Sequence, residues 1–247
     1  MKENKKWSKI VKNSVFIFVF ILLLAIISII ILKYNVEGEK NMPFNLSRLF
    51  IISSAEGLKK EENVDSNWNV EIYQTNEIYL NITKNKNYKD SEIIKSIQIK
   101  NIHIDENPQV GDINIYRPSG DEEKLQYIDK NKINDEIVYI GDTKSDIGNL
   151  KISNQGGTIV FSVVNITGKN YISDESELKH DGTLIEKANI TNEEISFKIS
   201  FDIVINLESE ISYTGQITIE LPIDDLSSKG ITSLDKTDMK DIVFKRD

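Results

Sequence analysis

The chain has 247 residues, with 30 Lys and Arg against 39 Asp and Glu, and no cysteine. Residues 1–33 hold six lysines and one glutamate, which leaves 24 basic and 38 acidic residues, a net charge of −14, to residues 34–247. The lack of cysteine excludes disulfides, cysteine-based zinc sites and a lipidated cysteine; a surface that acidic repels phosphate backbones, so no nucleic acid partner is expected.

Residues 1–12 form a basic tail, with Lys2, Lys5, Lys6, Lys9 and Lys12 against Glu3. No charge occurs between Lys12 and Lys33, and from Val15 to Leu32 the only polar side chain is Ser28. Eighteen residues at the helical rise span about 27 Å, close to the hydrocarbon thickness of a bilayer. The stretch is apolar on every face, unlike the one-sided stripe of a helix packed on a soluble core. Residues 13–33 are therefore read as a transmembrane signal-anchor helix, with residues 15–32 in contact with lipid. The lysine excess before the span places the tail in the cytoplasm and the rest outside it. A cleavable signal peptide is the rival reading. The long apolar run and the bulky Ile30-Ile31-Leu32-Lys33-Tyr34 that ends it argue against cleavage.

Residues 34–67 are expected to be a juxtamembrane spacer with a first strand or short helix at Phe44–Ile52 and a polar loop at 57–67. From Trp68 to the end, at 247, the period becomes two. Trp68, Val70 and Ile72 alternate with polar residues, and Ile78, Leu80 and Ile82 do so again after the polar Gln74–Glu77, which predicts a hairpin. Ile97 and Ile99 alternate, then Ile102 and Ile104 in the opposite phase, so a bulge is expected near Lys100-Asn101. Ile113 and Ile115 predict a short strand ended by Pro118, residues 119–135 a loop, and Ile137–Ile140 another short strand. Gly156-Gly157 feeds Thr158–Ile166, apolar in both phases and so expected to be covered on both sides. Asp181-Gly182 is a turn dipeptide.

The clearest pattern is Ile195, Phe197, Ile199, Phe201, Ile203, Ile205 and Leu207, followed after Glu208-Ser209-Glu210 by Ile211, Tyr213, Gly215, Ile217, Ile219 and Leu221. Folded as a hairpin with a three-residue loop, Leu207 faces Ile211, Ile205 faces Tyr213, Ile203 faces Gly215 and Phe201 faces Ile217. A slip of one residue would place one apolar set in water. Many alternating strands without a βαβ rhythm predict an all-β chain: an antiparallel β-sandwich, immunoglobulin-like in one form, behind one N-terminal transmembrane helix.

Chemistry-bearing patterns are sparse. His103 and His180 are far apart and outside any metal-ligand spacing. No GxSxG elbow, SxxK or P-loop is present, and Gly156-Gly157 reads as a turn. The acidic clusters Asp142–Asp146, Asp174–Glu177, Asp224-Asp225 and Asp235/Asp238/Asp241 lack EF-hand spacing and read as solvated loops. Tyr73, Tyr79, Tyr116 and Tyr139 are candidates for a sugar-binding face or, more simply, strand packing. The four Asn-x-Ser/Thr matches at Asn45, Asn81, Asn165 and Asn189 are expected by chance in a chain rich in Asn, whose Ile, Asn and Lys bias suggests AT-rich bacterial coding. No catalytic, cofactor-binding or metal residue is assigned, and no cofactor is expected. The functional expectation is a non-enzymatic cell-envelope protein whose sandwich serves interaction or assembly, with an envelope protein as partner. Alternatives are an envelope enzyme acting on wall glycans through paired carboxylates, and the outer domain of a sensor complex.

Overall fold

The structure is a computed structural model of the chain and describes residues 2–39, 41–59, 67–118, 127, 129–134, 136–142, 150–172, 179 and 181–247. It begins with helix α1 (Lys2–Glu37). Within α1, Val11–Lys33 has a mean hydropathy of 3.6 and none of it is buried, so it is long and apolar enough to cross a membrane.

Eleven strands follow among the described residues. In the first sheet, β10 (Ile231–Lys236), β1 (Phe44–Lys59), β2 (Asn67–Lys84), β7 (Gly156–Ile172) and β4 (Asp112–Tyr116) lie side by side in that order. The second sheet has the order β11 (Phe244–Arg246), β9 (Ser212–Glu220), β8 (Lys198–Leu207), β3 (Ile94–Glu106), β5 (Glu136–Gly141) and β6 (Lys151–Ile152). Every pair is antiparallel except β5 with β6. With β1, β2, β7 and β4 as A, B, E and D, and β3, β8 and β9 as C, F and G, seven strands have the order of an immunoglobulin constant-type sandwich. β5 and β6 extend the C edge, while β10 and β11 extend the A and G edges.

The two inner faces form one core. Ile78, Leu80, Ile159, Phe161 and Val163 from the first sheet meet Ile97, Ile99, Phe201, Ile203 and Ile205 from the second. Phe161 and Phe201 meet edge to face across the gap, with ring centroids 5.1 Å apart. The Tyr139 hydroxyl, on β5, donates to the Val160 carbonyl at 2.5 Å and accepts from the Val160 amide at 3.1 Å. β4 stops at Ser162, so this phenol satisfies the edge of β7 just beyond the partner strand's reach.

β1, β2 and β7 run about 50 Å, farther than the second sheet covers. Over their far half the inner face carries Trp68, Val70, Ile72 and Tyr171, and three single-turn helices close over it: α2 (Leu184–Lys187), α3 (Asn192–Ile195) and α4 (Leu226–Lys229). Leu184, Ile185, Ile195 and Leu226 fill this second core. Between the two cores lies a buried polar belt. Ser53 Oγ donates to Asn76 Oδ1 at 2.6 Å, and Asn76 Nδ2 to the Val163 carbonyl at 3.0 Å. Asn165 Nδ2 donates to Gln74 Oε1 at 3.2 Å and to the Val110 carbonyl at 3.0 Å.

This belt corrects one expectation. Gln74–Glu77 is not a turn but the middle of one 18-residue strand, β2. Its even-numbered side chains stay on the inner face from Trp68 to Ile82, and the polar pair marks where the β3–β4 connection passes over the sheet at Val110. The terminal apolar series is also shorter as a strand than its spacing suggests. Ile195 closes α3, whose first turn is a capping box between Thr191 and Glu194, and β8 begins at Lys198.

The polar loop expected at 57–67 is narrower, because β1 runs to Lys59 and β2 begins at Asn67; three other expectations are met. The bulge in β3 falls between Lys100 and His103, with Asn101 in the left-handed region at φ 54°. β7 is buried on both faces from Phe161 to Asn165. The β8–β9 register pairs Ile205 with Tyr213, Ile203 with Gly215 and Phe201 with Ile217, and Glu210 at φ 63° closes the three-residue loop. Gly215 is required because β11 lies beside it: a Cβ there would stand 2.9 Å from the Phe244 ring.

Phe201 is 1 % exposed and Thr218 lies on the outer face of the same hairpin. Phe201→Ala should destabilise the fold by about 3–5 kcal/mol, and Thr218→Ala by less than about 0.5 kcal/mol. Lys198→Ala loses only an exposed 3.8 Å ion pair with Glu106 and should be equally mild. Denaturant melts giving the three variants similar midpoints would show the hairpin face to be misassigned.

Candidate functional site

The outer face of the first sheet gathers the aromatic side chains. The ladder registers align Asp235, Phe50, Tyr79 and Val160 across one level, and Ser233, Ile52, Glu77, Ser162 and Tyr116 across the next. Cross-strand neighbours share a face, so the two registers assemble one surface from five strands. Phe50 and Tyr79 lie 6.2 Å apart, tilted by 39°. The Arg48 guanidinium sits 5.0 Å from the centre of the Phe50 ring and forks onto Asp235, with Nε to Oδ1 at 2.7 Å and Nη2 to Oδ2 at 2.8 Å. That pairing holds the Asp235 carboxyl below its usual range.

Two carboxylates on the face are held by tyrosines at period-two spacing. Tyr73 donates to Glu71 at 2.5 Å and Tyr79 to Glu77 at 2.6 Å. Tyr127, from the β4–β5 connection, folds over the face, donates to the other oxygen of Glu77 at 3.4 Å and meets the buried Tyr116 edge to face at 5.5 Å. Beneath it the Ser162 hydroxyl is fully buried and makes no hydrogen bond of good geometry.

The phenols respond. The hydrogen bond to Glu71, then burial, pushes Tyr73 up to about 12. Burial, then the Glu77 charge, pushes Tyr127 up to about 12, against the opposing pull of the Ser162 and Thr75 hydroxyls. Burial and the bond to Glu77 raise Tyr79 further.

Of the four tyrosines singled out by sequence, Tyr73, Tyr79 and Tyr116 lie on this face, Tyr73 about 20 Å along β2 from Tyr79. Tyr139 lies in the interior between the sheets, and Tyr116 is packing beneath Tyr127. Phe50, Arg48, Glu77 and Tyr127 were not singled out. The signal for Glu77 and Glu71 was present in the Glu-x-Tyr spacing of both 71–73 and 77–79, which puts acid and phenol side by side on one strand face.

The remaining candidates stay apart. His103 is exposed on β3, and His180 lies outside the described residues, as do 174–177 and most of 142–146. Asp142 pairs with Lys151 at 3.6 Å, Asp225 with Lys229 at 2.9 Å, Asp238 with Lys240 at 3.3 Å and Asp241 with Lys236 at 2.6 Å. Among the described residues no group of three or more His, Cys, Asp or Glu is placed to hold a metal ion. Asn165 is 1 % exposed with its amide engaged inside, so it is no glycan acceptor.

Chemically, the face offers half-exposed ring surface and carboxylates with spare lone pairs, and its arginine is committed to Asp235. Glu71 and Glu77 are six residues apart along one strand, about 20 Å. Glycosidase carboxylates stand about 5–9.5 Å apart, so these two do not form such a pair. Comparison with known families, curated proteins and solved structures finds no match.

The raised phenols carry a pH dependence. Below the ordinary value of 10.0 both folded and unfolded chains keep these protons. As pH rises from 10 towards about 12 the unfolded chain releases protons that the folded one retains, so stability falls through that window. In an alkaline absorbance titration, Glu71→Ala should shift one phenol of the wild-type curve from about 12 back towards 10. Identical curves would mean that the Glu71–Tyr73 bond is not formed.

Proposed function

We propose that this is a single-pass, membrane-anchored cell-envelope protein whose β-sandwich is an interaction or assembly module held outside the cytoplasm. The observation that carries this reading is α1: an apolar span of 23 residues with no part buried, joined to a sandwich whose own two cores are already closed without it. A span this apolar that packs against nothing among the described residues calls for lipid. The lysine-rich tail sets the direction. The candidate face supports recognition over catalysis, because its carboxylates are locked by tyrosines and spaced too widely to share one glycosidic bond. A sensor complex that relays an outside state through the span is the second alternative.

A signal sequence passes the same test of length and apolarity as an anchor, so the test must separate orientation from cleavage. The absence of cysteine makes single-cysteine labelling clean. In intact spheroplasts an impermeant maleimide should label Thr218→Cys and should label Ser8→Cys only after permeabilisation, with both residues on one full-size, membrane-bound chain. Labelling of Ser8→Cys alone in intact spheroplasts would reverse the topology. A shortened chain bearing Thr218→Cys and lacking residue 8 would replace the anchor with a cleaved signal peptide.

A further inference from the structure

The α1 end of the sandwich is built differently from the rest of the acidic domain. Only residues 38–43 separate α1 from β1, and this short link is hydrogen-bonded on both sides. The Glu39 amide donates to the Phe244 carbonyl at 2.6 Å. The Asn85 amide donates to the Pro43 carbonyl at 2.8 Å and Asn85 Nδ2 to the Met42 carbonyl at 2.9 Å. The β2–β3 connection is therefore stitched to the chain as it leaves the helix. That connection reads Lys84-Asn85-Lys86-Asn87-Tyr88-Lys89; all three lysines are exposed and Tyr88 is half-buried. Beside it, Met42, Met239, Ile242 and Val243 line a cleft of about 760 Å³, and Val243 is 40 % exposed.

The geometry points to a membrane-docking surface: the Lys84–Lys89 loop, with the apolar rim at Val243, rests on the anionic headgroups of the bilayer that α1 spans. This rests on the reading of α1 as an anchor. The domain's net charge of −14 for residues 34–247 does not forbid it. Glu39 and Asp238 also line the cleft and Asp90 follows Lys89, so the attraction rests on the three exposed lysines of the loop beside the helix exit, over the roughly 8 Å that salt leaves unscreened. At the same end, the second sheet carries Glu92, Glu208 and Glu210, and Ser209 Oγ donates to Glu92 at 2.9 Å. An anionic surface attracts the first-sheet corner and repels the second-sheet corner, so the domain leans onto the Lys84–Lys89 side.

The test uses the full chain in lipid nanodiscs containing lipids brominated along their acyl chains, with one fluorescently labelled cysteine at a time. Phe18→Cys reports the span, Asn87→Cys the loop and Ile172→Cys the far end, where Ile172 is 82 % exposed. In discs containing phosphatidylglycerol, Phe18→Cys and Asn87→Cys should be quenched and Ile172→Cys should not. In discs of phosphatidylcholine alone, quenching at Asn87→Cys should fall while that at Phe18→Cys stays. Neutralising one of the three lysines, as in Lys86→Gln, should lower the docked-to-undocked ratio about fivefold. Quenching at Asn87→Cys that is the same in both lipids and in Lys86→Gln would show proximity by tethering alone and overturn the docking surface. No quenching at Asn87→Cys beside a quenched Phe18→Cys would overturn it too, leaving the anchor standing. An unquenched Phe18→Cys would remove the anchor, and the docking surface with it.

Discussion

The ladder of β1, β2 and β7 is the constraint on which the rest of the molecule depends. Seventeen consecutive residue pairs join β2 to β7 without a register shift. An unbroken ladder this long keeps one set of alternate side chains on one face from end to end, and that face must be covered throughout. The second sheet covers the half nearer α1. Three single-turn helices cover the other half, none of them long enough to be stable alone. Their presence follows from the apolar surface of Trp68, Val70, Ile72 and Tyr171, which would otherwise face water.

Where the two covers meet, the β3–β4 connection crosses the sheet at Val110, and the chain places polar residues there. Ser53, Gln74, Asn76 and Asn165 are all 2 % exposed or less. Burying four polar side chains is costly unless they bond to one another or to the main chain. Asn76 and Asn165 bond to the carbonyls of Val163 and Val110, the second of which belongs to the strand connection crossing between the sheets. The belt thus anchors the crossing as well as filling the seam. Gly111 stands directly over Asn165; a Cβ there would lie 2.0 Å from its Oδ1, so the crossing can come this close only at a residue without a side chain.

This division explains what was legible in the sequence. The β8–β9 hairpin was readable to the residue pair, because each strand has one mostly polar face opposite its apolar one and the turn lies in the same stretch. The bulge in β3 was readable because a phase change in an apolar series has one simple cause. β2 was misread for the opposite reason: a polar interruption of an apolar series means a turn when the chain reverses and a seam when it does not. Phase alone does not separate the two: Ile72 and Ile78 resume in step along one continuous strand, and Leu207 and Ile211 resume in step across the β8–β9 turn. β10 and β11 carry no strong alternation, since each is an edge strand with few buried side chains; β11 is held by Phe244 filling the space left by Gly215. The candidate face was half legible. Three of its tyrosines stood out by type, but Phe50 and Arg48 reach it through strand pairings, and Tyr127 through a placement, that periodicity does not encode.

The same ladder ties the candidate face to the α1 end. Phe50 and Tyr79 lie six and five residues along β1 and β2 from the pair Phe44 and Lys84, which opens the sheet beside the helix exit. At the strand rise this sets the face about 20 Å from that end, with the sheet running on well beyond it. On the anchored reading, a partner that engages the face must come close to the bilayer, within reach of the base of the sandwich. Three hydrogen bonds, from the Glu39 amide to Phe244 and from Asn85 to Met42 and Pro43, tie the base of the sheet to the chain beside the helix exit. On the same reading, the height and tilt of the face above the membrane depend on that folded base, where the residues that close the sandwich also meet the end of the helix.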